Sequence, residues 1–272
     1  MAFWPPVLLV MCFISRGEAV CPELSGQIIG GRPSSITRHP YQVSMVMNGN
    51  SFCGGFIISR DYVLTAAHCV RNTRRDSGGR IIQVSNVTVH ERYGRPRFDN
   101  DIAALRLAQP LDFSATIQPI RLPQPGQAVP LVRLTVTGWG LTAIRGRRIP
   151  RLMMEAQVPV VPHWLCRLSY GDALTNNMFC GGHFLIGGVS SCQGDSGGPA
   201  VFRGTVFGVV SFARGCALPL SPTVFTNISD PLATEISALS RTFITVVTLN
   251  AVLEFVLVDA VFFSLFRHVL NY

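Results

Sequence analysis

The stretch Gly194-Asp195-Ser196-Gly197-Gly198-Pro199 sets one serine among glycines, and its reading decides the fold. A serine with neighbours that lack side chains can expose its hydroxyl, and the amides around it can converge on a developing oxyanion. The same letters also fit G-x-S-x-G, the strained strand-to-helix turn of alternating α/β chains, in which the acid and the histidine follow the serine. Here only His268 follows Ser196, at the end of an apolar tail, and no alternating strand and helix pattern precedes it. The α/β reading is therefore set aside.

Outward from that turn the chain reads as short apolar, often alternating runs at 41–47, 62–66, 81–89, 103–107, 131–137, 153–161 and 206–212. Asn48-Gly49-Asn50, Ser77-Gly78-Gly79 and Arg145-Gly146 separate them, a rhythm that points to an all-β sandwich or barrel. The Pro, Gln and Gly-rich stretch 122–130 reads as a linker between two halves. With 272 residues, 48% hydrophobic and 14% charged, the chain has room for one large domain, and general disorder or a long coiled coil is excluded. Its 23 basic and 15 acidic residues give +8, and every one of those basic residues is Arg. That excess permits polyanionic partners without selecting one.

Two further segments carry chemistry. Leu64-Thr65-Ala66-Ala67-His68-Cys69 and Phe98-Asp99-Asn100-Asp101-Ile102-Ala103 place a base and an acid before the nucleophile, in the order His, Asp, Ser. A serine hydroxyl is a poor nucleophile until an adjacent imidazole accepts its proton. With these segments, Ile28-Ile29-Gly30-Gly31 and Gly138-Trp139-Gly140, the chain resembles the trypsin/chymotrypsin family of serine endopeptidases over roughly residues 28–228. The resemblance implies two packed six-stranded antiparallel β-barrels with the active site in the cleft between them.

It also implies roles. His68 is the expected base, Asp101 fixes its tautomer and stabilises its cation, and the backbone N–H groups of Gly194 and Ser196 form the oxyanion hole. Expected disulfides are Cys53–Cys69, Cys166–Cys180 and Cys192–Cys216. Where many relatives have a further bridge, Leu134 and Phe202 stand, so packing is expected to replace it. Cleavage before Ile28 would free an ammonium to pair with Asp195, although Gln27 is not a residue that a trypsin-like activator cuts after.

The resemblance further implies a pocket for the side chain before the scissile bond, with its base six residues before the nucleophile, at Ser190, and Ser211, Phe212, Ala213 and Thr223 along its walls. Without an Asp at the base, a buried guanidinium or ammonium has no charged partner, which disfavours trypsin-like cleavage. Side chains at Ala213 and Thr223 shorten the pocket. The expected preference is elastase-like, for small or medium aliphatic residues, with aromatic ones second.

Three features depart from the family pattern. Only 33 positions separate His68 from Asp101, so the first barrel is expected to lack about one strand, and no calcium loop is predicted there. Gln27 precedes the activation segment. The C-terminus has an apolar run at 243–266 in place of an amphipathic helix. These departures make a catalytically silent secreted homologue, acting as a binding or regulatory protein, the runner-up to an active enzyme.

The ends give further expectations. Residues 1–19 read as a signal peptide and 20–27 as a short propeptide; 28–240 is the protease domain and 241–272 a hydrophobic tail. The run 243–266 is long enough to span a bilayer, but Asn250, Glu254 and Asp259 inside it disfavour a span relative to surface packing. Removal of the signal leaves Cys21 without an assigned partner. Asn86-Val-Thr and Asn227-Ile-Ser are glycosylation sequons. The expected chain is secreted and extracellular, and it acts on protein or peptide substrates. It needs an activating protease, is open to protease inhibitors, and uses no cofactor, metal or nucleic acid. Arg145, Arg147, Arg148 and Arg151 form a basic stretch read mainly as a solvated loop.

Overall fold

A computed structural model describes residues 13–15, 18–20, 28–47, 50–70, 82–141, 150 and 152–229. Most of the expected signal peptide, the expected propeptide with Cys21, most of the 145–151 arginine stretch and the apolar tail lie outside the described residues. In the N-terminal segment, β1 (Phe13–Ser15) pairs antiparallel with β2 (Glu18–Val20).

The first half forms one antiparallel sheet. Its strands are β4 (Gln42–Met47), β5 (Asn50–Ile57), β6 (Tyr62–Thr65), β7 (Val84–Val89) and β8 (Ala103–Leu107), in the order β4-β5-β6-β8-β7. That is five strands among the described residues where the resemblance implied six, and the shortened 71–81 stretch falls outside them. The second half contains β9 (Arg133–Gly138), β10 (Met154–Val161), helix α1 (His163–Tyr170), β11 (Met178–Gly181), β12 (Pro199–Phe202), β13 (Thr205–Phe212) and β14 (Thr223–Asn227). The order β11-β14-β13-β12-β9-β10, with β10 pairing back onto β11, closes a six-stranded barrel, and β3 (Arg32–Pro33) is added outside β10.

Apolar periodicity explains most of these strands. On β9, Leu134 and Val136 are fully buried while Arg133 is exposed, the alternation that a half-solvated antiparallel sheet requires. Strands β5, β11, β12 and β14 carry Gly, Cys, Pro or Thr among their apolar residues, which masks the period. Arg203 and Gly204 join β12 to β13 at φ values of 47° and 73°, a two-residue turn of the kind whose twist matches paired strands.

The two halves share one apolar cluster. Phe56, Leu64 and Ile102 from the first half meet Val206, Val209 and Ile228 from the second. Leu134 and Phe202, the positions without a bridge, belong to the interior cluster of the closed barrel with Val136, Val158 and Phe225. The sequon Asn86 is exposed on β7, whereas Asn227 is half-buried and its amide oxygen accepts hydrogen bonds from the Ser229 N–H and hydroxyl.

Candidate active site

His68 sits in a single 3₁₀ turn, Ala67–Cys69, directly after β6, and Asp101 lies two residues before β8. Pairing of β6 with β8 at Thr65 and Ala103 brings the two segments side by side. The Asp101 carboxylate is fully buried and accepts three hydrogen bonds. The His68 backbone N–H donates to Oδ1 at 2.9 Å, the His68 Nδ1 lies 2.7 Å from Oδ2, and the Ser211 hydroxyl donates to Oδ2 at 2.6 Å. A buried carboxylate so held fixes the imidazole with Nδ1–H toward it, leaving Nε2 as the acceptor.

Ser196 reaches the same place from the closed barrel. Its carbonyl oxygen accepts from the Gly54 N–H at 2.7 Å, and that oxygen and His68 Nε2 each lie 3.7 Å from the Cys69 sulfur. The Cys53–Cys69 disulfide ties this turn to β5. Gly197 has φ +82°, and a β-carbon there would collide with the Thr65 hydroxyl and the Gly54 carbonyl, so the serine turn is set directly on the first sheet. Cys53, His68 and Cys69 bring three potential metal-ligand atoms together, but the disulfide removes both thiolates.

Asp195 turns inward and is fully buried. Its carboxylate accepts from the Gly140 N–H at 2.8 Å and the Cys192 N–H at 2.9 Å, and a side chain at Gly138 or Gly140 would collide with it. Burial pushes this carboxyl up to about 6 despite the two amides. Ile28 is also fully buried, packed on Met154, Ala156 and Val189, and Met154 is the strand partner of Gly138. Ile28 and Asp195, the pair expected on activation, thus lie against the two members of one strand pair, Met154 and Gly138.

Of the five residues expected to form the specificity pocket, Ser190 and Thr223 lie side by side, and Ser211, Phe212 and Ala213 stand at the end of β13. Ser190 and Thr223 are each 1% exposed, with hydroxyl oxygens 3.2 Å apart, and the Ser191 hydroxyl lies 3.0 Å from that of Thr223. The residue expected at the pocket base thus sits in a cluster of three hydroxyls. Phe212 and Ala213 end and follow β13 on one side, beside the Cys192–Cys216 disulfide. The third disulfide, Cys166–Cys180, ties α1 to β11.

Two members of the site escaped the sequence. Phe98, in left-handed backbone at φ 64°, stacks on Phe212 with centroids 5.1 Å apart and meets His68 edge-on at 6.4 Å. Read in the sequence, an apolar residue beside DND looks like core. Ser191 had no signal apart from its place next to Ser190.

The family model "Trypsin" matches residues 28–234. A trypsin of Phaedon cochleariae is 39% identical over 219 residues, 75% of this chain and 84% of that protein. Trypsin Blo t 3 of Blomia tropicalis is 36% identical over 222 residues, 75% of this chain and 83% of its own. Anionic trypsin of Canis lupus familiaris is 34% identical over 232 residues, 81% and 93% of the two chains. By its barrel architecture, its His, Asp and Ser segments and these relatives, the chain belongs to the trypsin family of serine proteases.

Proposed function

We propose that this serine endopeptidase cleaves after small or medium aliphatic residues, with aromatic ones second. The observation that carries the reading is the pocket floor, where Ser190, Ser191 and Thr223 supply hydroxyls and no carboxylate. An arginine or lysine side chain entering it would give up its hydration without a counter-charge. The relatives' name, trypsin, therefore does not carry their pocket to this chain.

In the proposed reaction His68 Nε2 takes the Ser196 hydroxyl proton as Oγ attacks the scissile carbonyl. The N–H groups of Gly194 and Ser196 hold the oxyanion, and His68 returns the proton to the leaving amine as the C–N bond breaks. A water whose proton His68 takes then attacks the acyl ester, and His68 passes that proton to Ser196 Oγ as the acid leaves. The Asp101 carboxylate orients the imidazole and stabilises its cation. Phe98 and Phe212 form an aromatic wall beside His68 that favours an apolar substrate residue next to the scissile one.

The chain is proposed to be a secreted zymogen, with a signal over 1–19, a propeptide over 20–27 and the protease domain over 28–240. Asp195 is buried short of counter-charge, and an Ile28 ammonium freed by cleavage would supply it. The complete His68, Asp101 and Ser196 set favours an enzyme over a silent homologue.

The test uses recombinant protein with its N-terminus freed at Ile28 and peptides that vary the residue before the scissile bond. Turnover of Ala, Val and Leu peptides that vanishes in Ser196→Ala is the expected result. Faster cleavage after Arg would overturn the pocket assignment, and silence on every peptide from the folded, processed protein would favour the regulatory homologue.

A further inference from the structure

Away from the catalytic cleft, a groove of about 400 Å³ opens between the 38–41 segment and strand ends of the closed barrel. Gly138 ends β9 against the Asp195 carboxylate, whereas Arg133 begins the strand, ~17 Å away at ~3.4 Å per residue. Arg38, Arg133 and Arg203 line the groove from three separate segments, and all three are exposed. Arg133 has no acidic partner among the described residues. Arg203, at the tip of the β12–β13 turn, lies 5.2 Å over the Phe202 ring. Arg38 is 3.4 Å from Glu155, a carboxylate already bound by Arg32, Ser34 and His39. Just outside, Arg121 donates to the Arg203 carbonyl at 2.7 Å and adds a fourth cation. Like charges gathered in one groove repel each other, and a bound polyanion relieves that repulsion.

We propose that this groove is a binding site for a sulfated polysaccharide. Guanidinium groups present two parallel N–H donors to an oxyanion such as sulfate, and three of them on different walls match a chain with repeated sulfates better than a single ion. Gln157 donates its Nε2 to Thr135, which leaves the amide oxygen as an acceptor for a sugar hydroxyl. Nucleic acid fits less well. The groove's Phe202 ring is already covered by Arg203, so it is no stacking platform for a base. A concave surface also has no protruding helix or ribbon to enter a duplex groove.

The test is retention of the full chain on immobilised heparin, with the salt needed for elution compared among variants. Wild type should elute well above physiological ionic strength, ~0.15 M. Arg133→Ala/Arg203→Ala should bind free heparin about tenfold more weakly, ~1.4 kcal/mol, with unchanged thermal midpoint and peptide turnover. A charge-matched control, Arg147→Ala/Arg148→Ala, should keep at least most of the affinity. Elution of wild type at or below physiological salt, or an equal loss in the control, would overturn the proposal. So would equal affinity for an oligonucleotide of the same charge, because the site would then select charge and not the sulfated chain.

Discussion

The hydroxyl oxygens of Ser190 and Thr223, the proposed pocket floor, face each other 3.2 Å apart and are buried. On the proposed reading, Thr223 fills volume that a glycine would leave to the substrate. Thr223→Gly should raise kcat/KM on Phe and Tyr peptides relative to Ala peptides on the order of tenfold, about the discrimination that one or two carbon atoms give in an apolar pocket. Steady-state kinetics on a matched peptide pair checks this, and an unchanged ratio would show that Thr223 does not limit pocket depth.

Asp101 should matter through the histidine tautomer. Asp101→Asn keeps the shape but presents an amide to His68 Nδ1, so kcat should fall on the order of 10⁴-fold with little change in KM. Ser211→Ala removes only one of three hydrogen bonds to the same carboxylate and should cost at most about tenfold. If Ser211→Ala were as damaging as Asp101→Asn, the carboxylate would depend on the serine far more than its geometry implies.

The site was legible because chemistry restricts residue type at fixed order: a base, an acid and a nucleophile among glycines cannot be exchanged for similar residues. The all-β class was legible because alternation survives in the sequences of β9 and β10, and β13 is a short apolar run of strand length. Strands β5 and β12 were not, since Gly54, Gly55 and Pro199 break the pattern where backbone approaches backbone at the serine turn. Phe98 was hidden for another reason. Its role comes from a left-handed backbone that turns an apolar ring toward His68, and no spacing rule records a φ of 64°.

Asp195 gives the uncleaved chain a pH dependence of unusual sign. Its carboxyl is raised from 3.8 to about 6 by burial, so between those values the folded chain holds more protons than the unfolded one. The contribution of this group therefore falls as pH rises from about 4 to 6, by up to ~3 kcal/mol. Chemical denaturation of uncleaved protein should show that loss, and Asp195→Asn should remove it. After cleavage before Ile28 the trend should reverse, because a new ammonium favours the ionised form.

Glu155 works in the opposite direction. Burial alone would push its carboxyl up, but hydrogen bonds from His39, Ser34 and Arg32, with the Arg38 charge nearby, hold it at about 2 instead of 4.5. A depressed acid contributes fully above its unfolded value and loses that contribution as pH falls toward the folded one, here between about 4.5 and 2. The scale is up to ~3 kcal/mol. Because the carboxylate joins β10 to the 32–39 segment, the loss should be local before it is global. Hydrogen exchange at pH 3 should show amides of 34–42 opening ahead of the barrel strands. Glu155→Gln should open the same amides already at pH 6, where wild type stays protected. Equal protection in the two proteins at pH 6 would mean that β3 and the apolar contacts of Tyr41, not the buried ion cluster, hold this segment down.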